Sequence, residues 1–178
     1  MGSRTTRLVA LAITAFSLCI AVSPAGATAN RPATAMSTLE QGVLADINAF
    51  RAQNHLAQLR LSAPLTASAR AHTRQMAAAG YFAHESADGS AFWRRIQVFY
   101  TSSPWRYWSV GENLLWSSPD VDASGALTMW WNSPEHRKNM LTARWREIGL
   151  SAVHVPAAPG TYDGREVTIV TTDFGVRN

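Results

Sequence analysis

The chain has 178 residues, 47% of them hydrophobic and 16% charged, with a formal net charge of +4 and a single cysteine. Its Lys and Arg residues do not cluster as a nucleic-acid footprint does, so no nucleic-acid partner is expected. One cysteine also excludes an internal disulfide, so the fold must be held by packing.

Residues 1–27 read as a cleavable signal peptide. Arg4 and Arg7 give a positive start, Leu8 to Val22 is apolar without charge, and Ala25-Gly26-Ala27 offers small residues to a signal peptidase. The apolar run is about 15 residues, short of the roughly 20 a spanning helix needs, so an uncleaved membrane anchor is the lesser reading. A lipid anchor on Cys19 is weaker still, because bulky Leu18 precedes it. Cleavage would place the protein outside the cytoplasm, in the medium or a periplasm. It would leave about 150 residues, one ordinary domain without a membrane-spanning stretch. The loss of two arginines lowers the formal charge to about +2, and the working chain is then cysteine-free.

Residues 28–37 form a flexible lead-in, and 38–178 the domain. A helix is predicted from Ser37 or Thr38, with Leu39, Val43, Ile47 and Phe50 on one stripe. A second begins at Ala63-Pro64 and stops at Gly80. Its apolar face carries Leu65, Ala69 and Met76, with His72 as a half-buried residue among them. Tyr81 to Ser90 is loop, a short helix runs through Phe92, Trp93 and Ile96, and Tyr100 to Ser109 has no clean period. Val110 to Trp116 reads as a short strand. Asp122 caps a helix to about Trp131, and Ser133-Pro134-Glu135 restarts one. Ile148 to Val155 and Val167 to Phe174 alternate as two strands, joined by a Pro/Gly/Asp loop into an antiparallel hairpin. Helices first and strands last point to an α+β or layered architecture.

Three segments carry polar residues that their apolar surroundings do not require: Phe82-Ala83-His84, Gly111-Glu112-Asn113-Leu114, and Ser133 to Leu141. Two imidazoles and a carboxylate suit a borderline divalent ion such as zinc. Spacing alone does not fix such a site, since 28 and 24 residues separate His84, Glu112 and His136. Glu112 read alone could equally be a buried carboxylate accepting backbone N–H groups. Asn113 and Asn139 read as structural amides that tie to backbone. All seven tryptophans lie between Trp93 and Trp145, and most are expected in the core. Trp105 and Trp108 are the expected groove-lining exceptions.

The order His84, G-E-N-L at 111–114, W-W-N-S-P-E-H-R-K-N-M-L at 130–141, I-G-L at 148–150 and D-F-G at 173–175 resembles the bacterial branch of the CAP superfamily, over roughly residues 39–175. The resemblance implies a three-layer α-β-α sandwich with a small antiparallel sheet between helices and a concave groove. It implies that His84 and His136 are the groove imidazoles and Glu112 the groove carboxylate, with a divalent metal in some members. Ser133 stands where many relatives have a second glutamate, which removes a ligand and a base. The resemblance, with the leader, thus favours an exported module, expected to be a monomer, that binds a small hydrophobic ligand or an envelope component. It carries no settled reaction, and Glu112 is the one candidate for a catalytic role. The alternatives are a metal-dependent hydrolase of peptide or cell-wall bonds, and an interaction module with a vestigial groove.

Overall fold

The computed structural model describes residues 36–178. The expected signal peptide, with Cys19, and most of the lead-in lie outside the described residues. The described residues form one compact unit.

Helix α1 (Thr38–Gln53) opens with a capping box. The Ser37 hydroxyl accepts from the Glu40 amide at 3.2 Å, and the Ser37 amide donates to the Glu40 carboxylate at 2.7 Å. The other Glu40 oxygen accepts from the Ala152 amide, so the cap also fastens α1 to the sheet. Val43 and Ile47 are buried as the stripe predicts. At the far end Arg51, fully buried, donates to the carbonyls of Ala57, Met140 and Thr142.

Strand β1 (Arg60–Leu61) leads into α2 (Ala63–Ala79), which starts with proline in its first turn. It ends at Gly80 in the left-handed region, φ +69°. Helix α3 (Phe92–Phe99) precedes β2 (Trp108–Ser117), α4 (Ala123–Trp131) and α5 (Pro134–Met140). Strands β3 (Glu147–Val155) and β4 (Val167–Arg177) flank a loop that contains the 3₁₀ turn Gly160–Tyr162.

The sheet order is β1-β3-β4-β2. One face holds Val43, Ile47, Trp130, Met140, Trp145 and Phe174 beneath α1, α4 and α5. The other carries Leu65, Met76, Leu114 and Ile169 under α2, with Ile96 and Tyr100 from α3 and its end. This is the expected three-layer α+β sandwich. Helix α2 lies on β3 so closely that a Cβ at Gly149 would come within 2.0 Å of the Leu65 carbonyl carbon.

Several expectations need correction. The sheet is mixed, because β1 pairs parallel with β3 while the other pairings are antiparallel. Two exposed residues carry no alternation, so nothing in their pattern marked β1. Strand β2 begins two residues earlier than predicted, inside the aromatic stretch that lacks a period, and β4 runs on to Arg177. His72 is fully buried, not half-buried, because its face of α2 lies directly against the sheet. Only Trp130 and Trp145 among the tryptophans are fully buried. Trp93, Trp105 and Trp131 stay exposed and are covered by guanidinium groups of Arg94, Arg177 and Arg137. Stacked arginine stems remove ring surface from water without a core position.

Candidate functional site

Strand β2 is an edge of the sheet, and the site is built along it. Residues on alternate sides of β2 enter different layers. Leu114 joins the α2 layer and Leu115 the opposite one. The loop after α2 therefore approaches this edge from one face, and α5 from the other.

Glu112 sits at the middle of β2 with a fully buried side chain. One carboxylate oxygen accepts from His84 Nδ1 at 2.8 Å, and the other pairs with the Arg95 guanidinium of α3. Arg95 is itself almost buried and also donates to the His84 carbonyl and the Ser86 hydroxyl. Glu112 thus accepts from side chains, a third possibility beside metal ligation and backbone capping. With Nδ1–H given to Glu112, Nε2 is the ring nitrogen that faces away from the carboxylate. The ring is 48% exposed, so that nitrogen belongs to a group solvent can reach.

Behind this pair lies a second tier. His72 Nε2 donates to the Ala83 carbonyl at 2.9 Å, which steadies the residue before His84. Its Nδ1 is buried without a partner. Burial is the main cause that lowers the His72 pKa to about 4, opposed by Glu112 and reinforced by Arg95. Asp173 of β4 is the cross-strand partner of Glu112. It is fully buried; Ser68 and Glu112 are polar neighbours, yet neither reaches hydrogen-bonding geometry with either Asp173 oxygen. Desolvation first, and the Glu112 charge second, raise its pKa well above the ordinary 3.8, which favours the protonated form.

His136 stands in the first turn of α5. Its pKa is lowered, mostly by burial and then by His84, while Glu135 raises it. His84, Glu112 and His136 line one open cavity of about 510 Å³, together with Phe92, Lys138 and Trp145. An apolar hollow of about 280 Å³ adjoins it, lined by Phe82, Leu114, Trp116, Met129 and Trp130, and His136 lines both. Ser133 belongs to this apolar hollow and makes no capping bond to α5, although it occupies the cap position.

Trp105 and Trp108 line neither space. Trp108 turns inward, donates to the Tyr100 carbonyl and packs against Leu65, Ile96 and Tyr100. Trp105 lies out against Arg177. Sequence reasoning missed Arg95, which a lone Arg-Arg pair in a short helix does not distinguish. It also assigned no role to Asp173, which the D-F-G segment contained.

The amides act as structural ties. Asn139 donates to the Glu112 carbonyl and to the Asn113 side chain, while Asn113 donates to the His136 carbonyl. The Trp130 indole donates to the Leu114 carbonyl. Gly111 leaves room for this packing, since a Cβ there would meet Asn139 at 2.6 Å. Among the described residues no group of three or more His, Cys, Asp or Glu is placed to hold a metal ion. None of the described helices is long and apolar enough to cross a membrane.

Comparison with known proteins agrees with this architecture. The protein YkwD of Bacillus subtilis (strain 168) is 30% identical over 137 residues, covering 74% of this chain and 51% of YkwD. The chain therefore spans about half the length of that relative. An extracellular SCP-domain protein from Bacillus anthracis str. Ames superposes with a TM-score of 0.57 at 25% identity, covering 75% of this chain and 39% of that one. An outer surface protein from Borrelia burgdorferi shares the fold alone, with a TM-score of 0.61 at 18% identity over 78% of this chain and 92% of its own. The cysteine-rich secretory protein (CAP) family profile matches residues 44–172, so the chain belongs to that family.

Proposed function

We propose that the protein is an exported CAP-domain module that binds a small hydrophobic or amphiphilic molecule, or an envelope component of that chemistry. The observation that carries this reading is the shared wall at His136, which joins an apolar hollow to a polar cavity. An aliphatic portion would occupy the space near Trp116, Met129 and Ser133, and a polar head would meet His84 and His136. Export is supported by the relative described as an extracellular protein. Solvent extraction of the purified protein followed by mass spectrometry should recover such a molecule. Titration with the fluorescent fatty acid cis-parinaric acid should saturate. Ser133→Phe should weaken that binding about tenfold by filling the hollow. No extracted ligand and no probe binding would remove this reading.

A divalent ion such as zinc is a narrower form of the proposal. His84, with Nδ1–H held by Glu112, has the carboxylate-backed geometry of a metal-ligating imidazole. His136 would supply a second nitrogen. Both Glu112 oxygens are already engaged, so the donor set falls short of the three protein ligands typical of catalytic zinc. Calorimetric titration with zinc should give heat that a His84→Ala/His136→Ala variant lacks, and equal heats would end the metal claim.

The competing reading is a hydrolase, favoured by a buried carboxylate that orients a solvent-reachable histidine. Chelator-sensitive cleavage of a peptide or peptidoglycan substrate, lost in Glu112→Gln, would favour it over simple binding.

A further inference from the structure

Beyond the His84 cavity, on the other side of Arg144, lies a second hollow of about 570 Å³. Arg60, Arg144, Arg146 and Arg177 line it, and Glu147 is its one side-chain carboxylate. Glu147 accepts the Tyr100 hydroxyl and forms no ion pair within 4 Å of any described residue. None of the four arginines has a carboxylate partner among the described residues. Two are fixed in place: Arg146 donates to the carbonyls of Ala143 and Trp145, and Arg177 lies 4.0 Å over the Tyr100 ring. Arg60 makes no side-chain hydrogen bond, and Arg144 makes only a stack 4.6 Å over Trp145. Four arginines against one carboxylate leave the hollow net positive, an imbalance that an anionic ligand relieves.

The geometry points to a binding groove for an extended anionic polysaccharide, and we propose that Arg60, Arg144, Arg146 and Arg177 hold its acidic groups. A planar guanidinium pairs with carboxylate or phosphate oxygens through two parallel bonds. Tyr107, 45% exposed, lines the hollow beside the arginines and offers ring surface against which a sugar face can lie. Val176 is the one aliphatic residue of the lining, so the hollow offers charged, polar and ring contacts rather than an apolar pocket. The hollow is concave, so it does not match a flat membrane surface. Arg144 lines both this hollow and the His84 cavity, so a chain lying in the groove would pass the mouth of that cavity.

The test is fluorescence anisotropy with a labelled oligogalacturonate added to the purified full chain. The wild type should bind, bind more weakly as salt rises, and ignore uncharged dextran. Arg60→Gln/Arg144→Gln removes the two arginines with no hydrogen bonds of their own. It should leave thermal unfolding unchanged and weaken binding about tenfold. His84→Ala/His136→Ala should leave oligogalacturonate binding intact, which separates this groove from the ligand site of the cavity. Should the arginine variant misfold, salt dependence and dextran discrimination in the wild type remain the readout. No binding, binding insensitive to salt, or binding unchanged in a folded arginine variant would overturn the proposal. Equal or tighter binding of polyglutamate or single-stranded DNA would overturn it in favour of another class of polyanion.

Discussion

Glu112 has no access to water, and its two oxygens are divided between Arg95 and His84. Removing its charge leaves the nearly buried Arg95 guanidinium without a counter-ion. Glu112→Gln should therefore cost about 3 kcal/mol of stability, measured by urea unfolding. His84→Ala, at a half-exposed position, should cost much less. The two buried groups behind the pair respond to pH in opposite senses. Below its ordinary pKa of 6.5, His72 in the unfolded chain binds a proton that the folded chain refuses until about pH 4. Its contribution to stability is thus lost as pH falls through that window. Asp173 keeps a proton in the folded state well above 3.8, where the unfolded chain releases it. Its contribution is lost as pH rises. Asp173→Asn should accordingly gain stability relative to wild type as pH rises above about 4, read as a widening gap in urea midpoints. A constant gap would show that Asp173 ionises normally.

At the level of elements, the contact between α2 and β3 depends on a missing side chain. Gly149→Ala would drive a methyl into the Leu65–Thr66 backbone, which cannot retreat as a flexible side chain does. A loss of about 3 kcal/mol in denaturant unfolding is expected. Arg51 does the corresponding work in the other layer by tying α1 to the end of α5. Arg51→Met would strand three carbonyls and should cost about 3 kcal/mol. These elements also explain what the sequence could reveal. The stripe Val43–Ile47, the Pro64-to-Gly80 helix and the alternation after Ile148 are periodic because each packs on one side, and periodicity is legible. Strand β1 has two residues, and the first residues of β2 sit among aromatics that face several ways, so no period existed to read.

For the whole molecule, the polar segments were visible as exceptions to their surroundings, but their partners were not. Glu112 stood out as a carboxylate in an apolar stretch, whereas His84 and His136, the latter flanked by Glu135, Arg137 and Lys138, were assigned by the family resemblance of their motifs. Arg95 and Asp173 did not stand out, since a charge on a short helix and an acid in a strand have ordinary explanations. The basic hollow was equally hidden. Arg60, Arg144, Arg146 and Arg177 come from three separate stretches of sequence, and only the pairing of β1 with β3 and β3 with β4 gathers them. Because both helical layers rest on that one sheet, residues 36–178 should unfold in a single transition. Tryptophan fluorescence, which follows Trp130 and Trp145, should coincide with circular dichroism. Two separated midpoints would mean that the layers are not cooperative.

The donors from Trp130 and Asn139 have a consequence for how copies of the chain treat one another. They occupy the outward carbonyls of Leu114 and Glu112 on the last strand of the sheet. An outer strand with free carbonyls is a template onto which a stranger's extended segment can add, the first step toward fibrous or swapped assemblies. Here two side chains already fill places such a newcomer would need, so this edge of the sheet is closed to a fifth strand at those positions.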